Sequence, residues 1–100
     1  MSAFKRISIE QAQPLLAQDD VAVVDVRDAQ SYNTAHIDGA FLLDNNTVDQ
    51  FIDSTDKTST VVVYCYHGNS SQNAAQFLVE RGFSDVYSLD GGYELWKQSN

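Results

Sequence analysis

Two runs of the chain, VAVVDV (21–26) and TVVVY (60–64), are almost continuously β-branched and lack the alternation of a strand with one face in water. Strands of that kind are covered on both faces, as in a parallel sheet. AFLL (40–43) and VYSL (86–89) read as shorter strands, and KRIS (5–8) suits a sheet edge. Between these runs the spacing of apolar residues lengthens. Ser8 with Gln11 forms a capping box for a helix over 9–17, which Pro14 is expected to restrict to short pieces. Asp28 caps a turn through Tyr32, and Asn46 or Thr47 opens a helix through Ile52. The clearest helical stripe is Ala74, Phe77, Leu78 and Arg81, closed by Gly82. A last amphipathic turn or two, YELWKQ (93–98), follows Gly91 and Gly92.

Strands alternating with helices predict an α/β domain with a mainly parallel sheet and right-handed crossovers. One hundred residues suffice for one domain over 1–100 and not for a second core. A chain of this length buries roughly two-thirds of its unfolded surface, enough to fold without disulfide staples. With one cysteine it has no internal disulfide to form. The N-terminus lacks the apolar stretch of a signal peptide, and no run is long enough for a membrane span. The chain is therefore expected to be soluble and cytoplasmic. A formal net charge of −8 disfavours nucleic acid and anionic membranes as partners.

Ligands of parallel α/β sheets bind outside the carboxyl ends of the strands, and Cys65 stands at such an end. The loop Cys65-Tyr66-His67-Gly68-Asn69-Ser70 then leads into the clearest helix, with Ser70 or Ser71 as its cap. A helix start carries unpaired N–H groups and about half a positive charge. A loop curling ahead of it aims further N–H groups inward, as an anion nest. A thiol at the centre of that cradle has its pKa lowered and becomes a nucleophile. A lone cysteine after an apolar strand is usually only a small buried hydrophobe. Here strand end, glycine loop and helix start coincide, which points beyond packing. The expected donors are the backbone N–H groups of Tyr66, His67, Gly68, Asn69 and Ser70. The Tyr66 side chain either walls the pocket or touches substrate, and that of His67 stays partly solvated or lends a local positive charge when protonated. One cysteine and two histidines, His36 and His67, do not make a zinc site. GNSS lacks the lysine of a phosphate-binding P-loop.

These residues carry a family likeness. VVDVRDAQSYNTAHIDGA (23–40), CYHGNSS (65–71) and YSLDGGYELW (87–96) resemble, in order, the amino-terminal signature, active-site loop and carboxy-terminal signature of the rhodanese superfamily. Within it the likeness is to the single-domain GlpE-type thiosulfate sulfurtransferases. Ala35 departs from the pattern, standing where many relatives have glycine, and the sequence ends four residues after Trp96. The resemblance implies a five-stranded parallel sheet with helices on both faces and a persulfide on Cys65. Asp25, Arg27, His36, the Asp90-Gly91-Gly92 turn and Trp96 then become scaffold.

The implied reaction is a double displacement from thiosulfate to cyanide or a thiol, with a thioredoxin-like protein as a reasonable partner and no metal or organic cofactor. A persulfide relay to a protein partner, a cysteine phosphatase and a binding module without catalysis are the competing readings. Such phosphatases end their loop in Cys-x5-Arg, and that position is Ser71. Binding modules of this kind typically lose the cysteine. Thiosulfate is a dianion approaching an acidic chain, and the loop holds no lysine or arginine. Thiosulfate saturation should therefore be weak and improve as ionic strength rises from low to moderate. Steady-state kinetics in a salt series tests this, and a clear loss of saturation with salt would contradict it.

Overall fold

In the computed structural model, which describes residues 3–99, the chain runs β1 (Lys5–Ile7), α1 (Ile9–Leu16), β2 (Ala22–Asp25), α2 (Ala29–Thr34) and β3 (Phe41–Leu42). It continues α3 (Val48–Ser54), β4 (Thr60–Tyr64), α4 (Ser70–Glu80), β5 (Asp85–Leu89) and α5 (Gly92–Ser99). The sheet order is β1-β5-β4-β2-β3, and every described pairing is parallel. KRIS thus supplies one edge strand as expected, and the short β3 forms the other.

The two-residue period of β4 divides the core. Val61 and Val63 face one way, with Val24, Leu78, Val79, Phe51 and Phe83. Val62 and Tyr64 face the other, with Val23, Leu89, Ile9, Ala12 and Ile37, and Tyr93 and Trp96 pack against them. Helices α3 and α4 therefore cover one face, while α1 and α5 cover the other. Because both faces are closed, the run VVV needs no polar member, and all three of its valines are fully buried.

Strands β2 and β4 are neighbours, yet their crossovers leave in opposite directions, β2 outward to β3 and β4 to β5. That divergence opens a crevice at their carboxyl ends. Residues 26–28 leave one of those ends and Cys65 the other.

A buried ion pair holds the crevice. The Asp25 carboxylate is fully buried and accepts from Arg27 N (2.8 Å), Arg27 Nη2 (2.7 Å) and the Tyr64 hydroxyl (2.7 Å). Arg27 Nη2 also donates to Ala35 O (2.7 Å), and the Tyr64 oxygen accepts from Ile37 N (3.1 Å). One carboxylate thus ties the ends of β2 and β4 to residues 35–37. Asp25 and Arg27 act as the scaffold that the family likeness implied. Ala35 has φ −167°, extended backbone that needs no glycine, so its departure from the pattern costs nothing.

Two local expectations are corrected. Helix α1 runs unbroken through Pro14. Proline removes only the bond to Glu10 O, and Glu10 is exposed where water can serve that carbonyl. The capping box of Ser8 and Gln11, present with both bonds, fixes the helix start, and Ile9 and Ala12 are buried. At α4 the cap is Asn69, without a side-chain bond, instead of Ser70 or Ser71. The Ser71 hydroxyl is engaged elsewhere, as described below. The Asp28 cap does form, accepting from Ser31 N, and Thr47 is the residue that opens α3.

Arg27→Ala would leave the Asp25 carboxylate buried without its cation. We expect a loss of about 3–5 kcal/mol, the range for breaking one side of a buried pair. Urea denaturation measures it, and a loss below about 1 kcal/mol would show that the pair behaves as a surface bridge.

Candidate active site

Strand β4 delivers Cys65 to the crevice, and its residue is only 2% exposed. The sulfur accepts from Gly68 N at 3.1 Å and from Ser71 N at 3.3 Å, and the Ser71 hydroxyl lies 3.4 Å away. Two backbone amides and a hydroxyl therefore converge on one sulfur across a loop of five residues.

The direction of the loop's remaining amides follows from where its carbonyls are tied. Cys65 O accepts from Tyr93 N (2.8 Å) and Tyr66 O from Glu94 N (3.0 Å), both at the start of α5. Gly68 O accepts from Gln72 Nε2 (2.8 Å) and Asn69 O from Gln72 N (3.2 Å). In a trans peptide the C=O and the next N–H point in opposite directions. The N–H groups of Tyr66, His67, Asn69 and Ser70 are thus turned away from α5 and Gln72. Among the described residues none of the four donates to a protein acceptor. Of the loop's amides, Gly68 N is the one that donates to the sulfur.

Two glycines make this arrangement possible. Gly68 has φ +94°, and a Cβ there would lie 2.9 Å from Gly91 N. At Gly92, φ is +60°, and a Cβ would fall 2.5 Å from Tyr66 O. Any side chain at Gly92 would push the start of α5 off the two carbonyls that it holds. The turn of Asp90, Gly91 and Gly92 beside the loop is itself tied down, by Asp90 N to Ile7 O (2.8 Å) and by Arg6 Nε to Asp90 Oδ1 (2.8 Å).

The electrostatics favour the anion. Burial pushes the Cys65 thiol up, but hydrogen bonds from the Ser71 hydroxyl, the Ser70 hydroxyl and the N–H groups of Ser71 and Gly68 outweigh it. The thiol is held down at about 7, against an ordinary value of 9.0. No charged side chain takes part in the sulfur's hydrogen bonds.

Tyr66 walls an open groove of about 580 Å³ beside the loop, bordered also by Arg27 and Tyr93. Its hydroxyl reaches Ser31 Oγ (2.9 Å), which donates to Asp28 Oδ1 (2.8 Å), so the ring is latched to the start of α2. The His67 side chain is exposed and makes no hydrogen bond among the described residues. His36 stacks on Tyr32 at 3.9 Å with Nδ1 against Tyr32 O, and is structural. Trp96 packs on the sheet face. The described residues hold no cluster of histidine, cysteine or carboxylate that could bind a metal.

Ser71 and Ser88 were not among the site residues expected from the sequence. Both are fully buried, and their hydroxyls lie 2.8 Å apart. Serine next to a helix start reads as a cap, which concealed Ser71. The available signal for Ser88 was a polar residue at a core position of β5.

Residues 8–99 match the model of the rhodanese-like domain family. The chain is 58% identical over 99 residues to a thiosulfate sulfurtransferase GlpE of Pseudomonas fluorescens, covering 99% of this chain and 90% of that protein. It is 51% identical to the GlpE of Shewanella oneidensis, covering 100% and 99%. The fold is similar to the crystal structure of a rhodanese-like domain protein from Staphylococcus aureus. The TM-score is 0.79 at 26% identity, over 93% of this chain and 91% of that one.

The lowered thiol makes two linked predictions. Alkylation of Cys65 by iodoacetamide should rise with pH about a midpoint near 7; a midpoint near 9 would show that the donors do not act on the sulfur. A folded-state pKa below the unfolded one adds stability that is complete above the unfolded value of 9.0 and lost as pH falls through about 7. The stability of wild type minus that of Cys65→Ala should therefore increase from pH 7 to pH 9, read by denaturant titration. A flat difference would contradict it.

Proposed function

The chain belongs to the rhodanese-like domain family, and on that footing we infer that it is a thiosulfate sulfurtransferase that carries sulfur on Cys65. The observation that supports Cys65 most is the sulfur's position at the carboxyl end of β4, against Gly68 N and Ser71 N.

The thiolate attacks the outer sulfur of thiosulfate. A bond forms from Cys65 Sγ to that sulfur, the S–S bond of thiosulfate breaks, and sulfite leaves with the electron pair. The product is the anionic persulfide. An acceptor, cyanide or a thiolate, then attacks the outer sulfur, and the bond to Sγ breaks with return of the electron pair to Cys65. Every bond made or broken is at sulfur, so the cycle uses no metal or organic cofactor.

The N–H groups of Tyr66, His67, Asn69 and Ser70 serve the negative charge on the incoming thiosulfate and then on the outer persulfide sulfur. Donors fixed before the reaction need no reorganisation as charge develops, which is where such groups contribute most. Attraction of a dianion to a chain of net charge −8 thus rests on local dipoles. The phosphatase reading loses further ground, since Ser71, in place of the closing arginine, is buried against the sulfur.

In the cell the acceptor is a thiol, and a thioredoxin-like protein suits it chemically. We place the reaction in the cytoplasm, where a lone thiol stays reduced. No helix among the described residues is long and apolar enough to cross a membrane.

Intact mass after incubation with excess thiosulfate and desalting without reductant tests the assignment. Wild type should gain one sulfur (~32 Da) and lose it to cyanide as thiocyanate, and Cys65→Ala should gain nothing. No gain in wild type, or an equal gain in the variant, would contradict it.

A further inference from the structure

Polar side chains in a core made of valine, leucine and phenylalanine need partners, and the described residues bury two serines completely. Ser71 lies in the first turn of α4, where a serine ordinarily caps the helix or bonds back to a carbonyl of the preceding turn. It does neither. Its hydroxyl lies between Cys65 Sγ (3.4 Å) and Ser88 Oγ (2.8 Å). Ser88 reaches it from β5, the strand beside β4, where Ser88 is in register with Val63.

We propose that these two serines form a hydroxyl relay in which Ser71 O–H is a catalytic donor to the Cys65 sulfur and Ser88 is the positioning residue that aims it. The inference rests on the reading of Cys65 as the nucleophile. The direction follows from counting protons. A thiolate only accepts, so the single Ser71 proton must point at sulfur. The Ser71 oxygen is then left as an acceptor on a fully buried residue, and Ser88 is the group within reach that can donate to it. A hydroxyl that is accepting donates more strongly, so Ser88 reinforces the bond to sulfur. When the charge moves to the outer sulfur of a persulfide, Sγ becomes a poor acceptor and the relay weakens. The relay therefore favours the free thiolate, the form that attacks the donor and the form that leaves when the acceptor is served.

Other titratable groups on the surrounding elements are His67 in the loop, Tyr64 on β4, Asp90 after β5, Tyr93 and Glu94 on α5, and Arg27 after β2. None of them hydrogen-bonds to the sulfur, so a change at the serines has a distinct reading.

The test is the pH dependence of iodoacetamide alkylation in wild type, Ser71→Ala, Ser88→Ala and the double variant, with thermal midpoints recorded alongside. Ser71→Ala should raise the midpoint by roughly one unit, a ~tenfold slower reaction below it. Ser88→Ala leaves both amide donors in place and should slow that limb by about twofold to threefold. In the Ser71→Ala background, Ser88→Ala should add no further shift, because it acts through Ser71. Additive shifts, or an unmoved midpoint in either folded variant, would overturn the relay. A packing role alone would lower the thermal midpoint and leave the pH midpoint where it was. If Ser71→Ala does not fold, Ser88→Ala decides alone by the same readout. Alkylation needs no sulfur transfer, so failure here is distinguishable from failure of the persulfide on Cys65, which the mass measurement reads.

Discussion

The two bonds from the start of α5 to the carbonyls of Cys65 and Tyr66 are the constraint on which the rest of the site depends. They fix the outward side of the loop's first peptides and, through peptide planarity, the direction of its amides. Gln72 does the same for the last two peptides from α4. The loop is in effect turned inside out by its neighbours. The carbonyls of Cys65, Tyr66, Gly68 and Asn69 are held by the scaffold. The N–H groups of Tyr66, His67, Asn69 and Ser70 meet no protein acceptor among the described residues. Gly92 exists for this contact, since a Cβ there would meet Tyr66 O at 2.5 Å. The pairing of β1 with β5 contributes at one remove, because Ile7 O holds Asp90 N and so sets where α5 begins.

On the other side of the crevice the Asp25 carboxylate plays the corresponding part. Its bonds to Arg27 and Tyr64 join the ends of the two strands whose crossovers diverge. Tyr93 links the two halves. Its N–H holds Cys65 O, and its ring lies 4.2 Å from the Arg27 guanidinium. Arg27 is thereby engaged in structure, and the loop itself holds no lysine or arginine. Attraction falls to oriented amides, whose field is short-ranged but does not need the protein's net charge to be positive. The sulfur gains from the same economy of charge. It is stabilised by neutral donors, and its pKa falls only to about 7, which leaves it nucleophilic.

Much of this was legible in the sequence because it rests on local patterns. The β-branched run before Cys65, Gly68 within the loop and the stripe from Ala74 to Arg81 specify strand, turn and helix without tertiary help. The order of the three rhodanese-like signatures then points to Cys65 and the loop that follows it. What the sequence does not reveal depends on contacts between distant segments. Pro14 looked like a break because its neighbours in sequence do not reveal that the affected carbonyl belongs to exposed Glu10. Ser71 looked like a cap because its partner, Ser88, stands seventeen residues away on another strand. The Tyr66 latch to Ser31 spans thirty-five residues. Nor does Gly92, read alone, reveal that the backbone of Tyr66 lies against it.

With the carbonyls of the same peptides tied elsewhere, the amides of Tyr66, His67, Asn69 and Ser70 should face the sulfur chemistry. Amide proton shifts of the labelled protein, compared before and after conversion to the persulfide with thiosulfate, test it most directly. These four amides should move downfield together as they take up the charge of the outer sulfur, while the amides of Tyr93 and Glu94, committed to the loop carbonyls, stay put. Four unmoved loop amides, with the persulfide present by mass, would show that the cradle faces elsewhere.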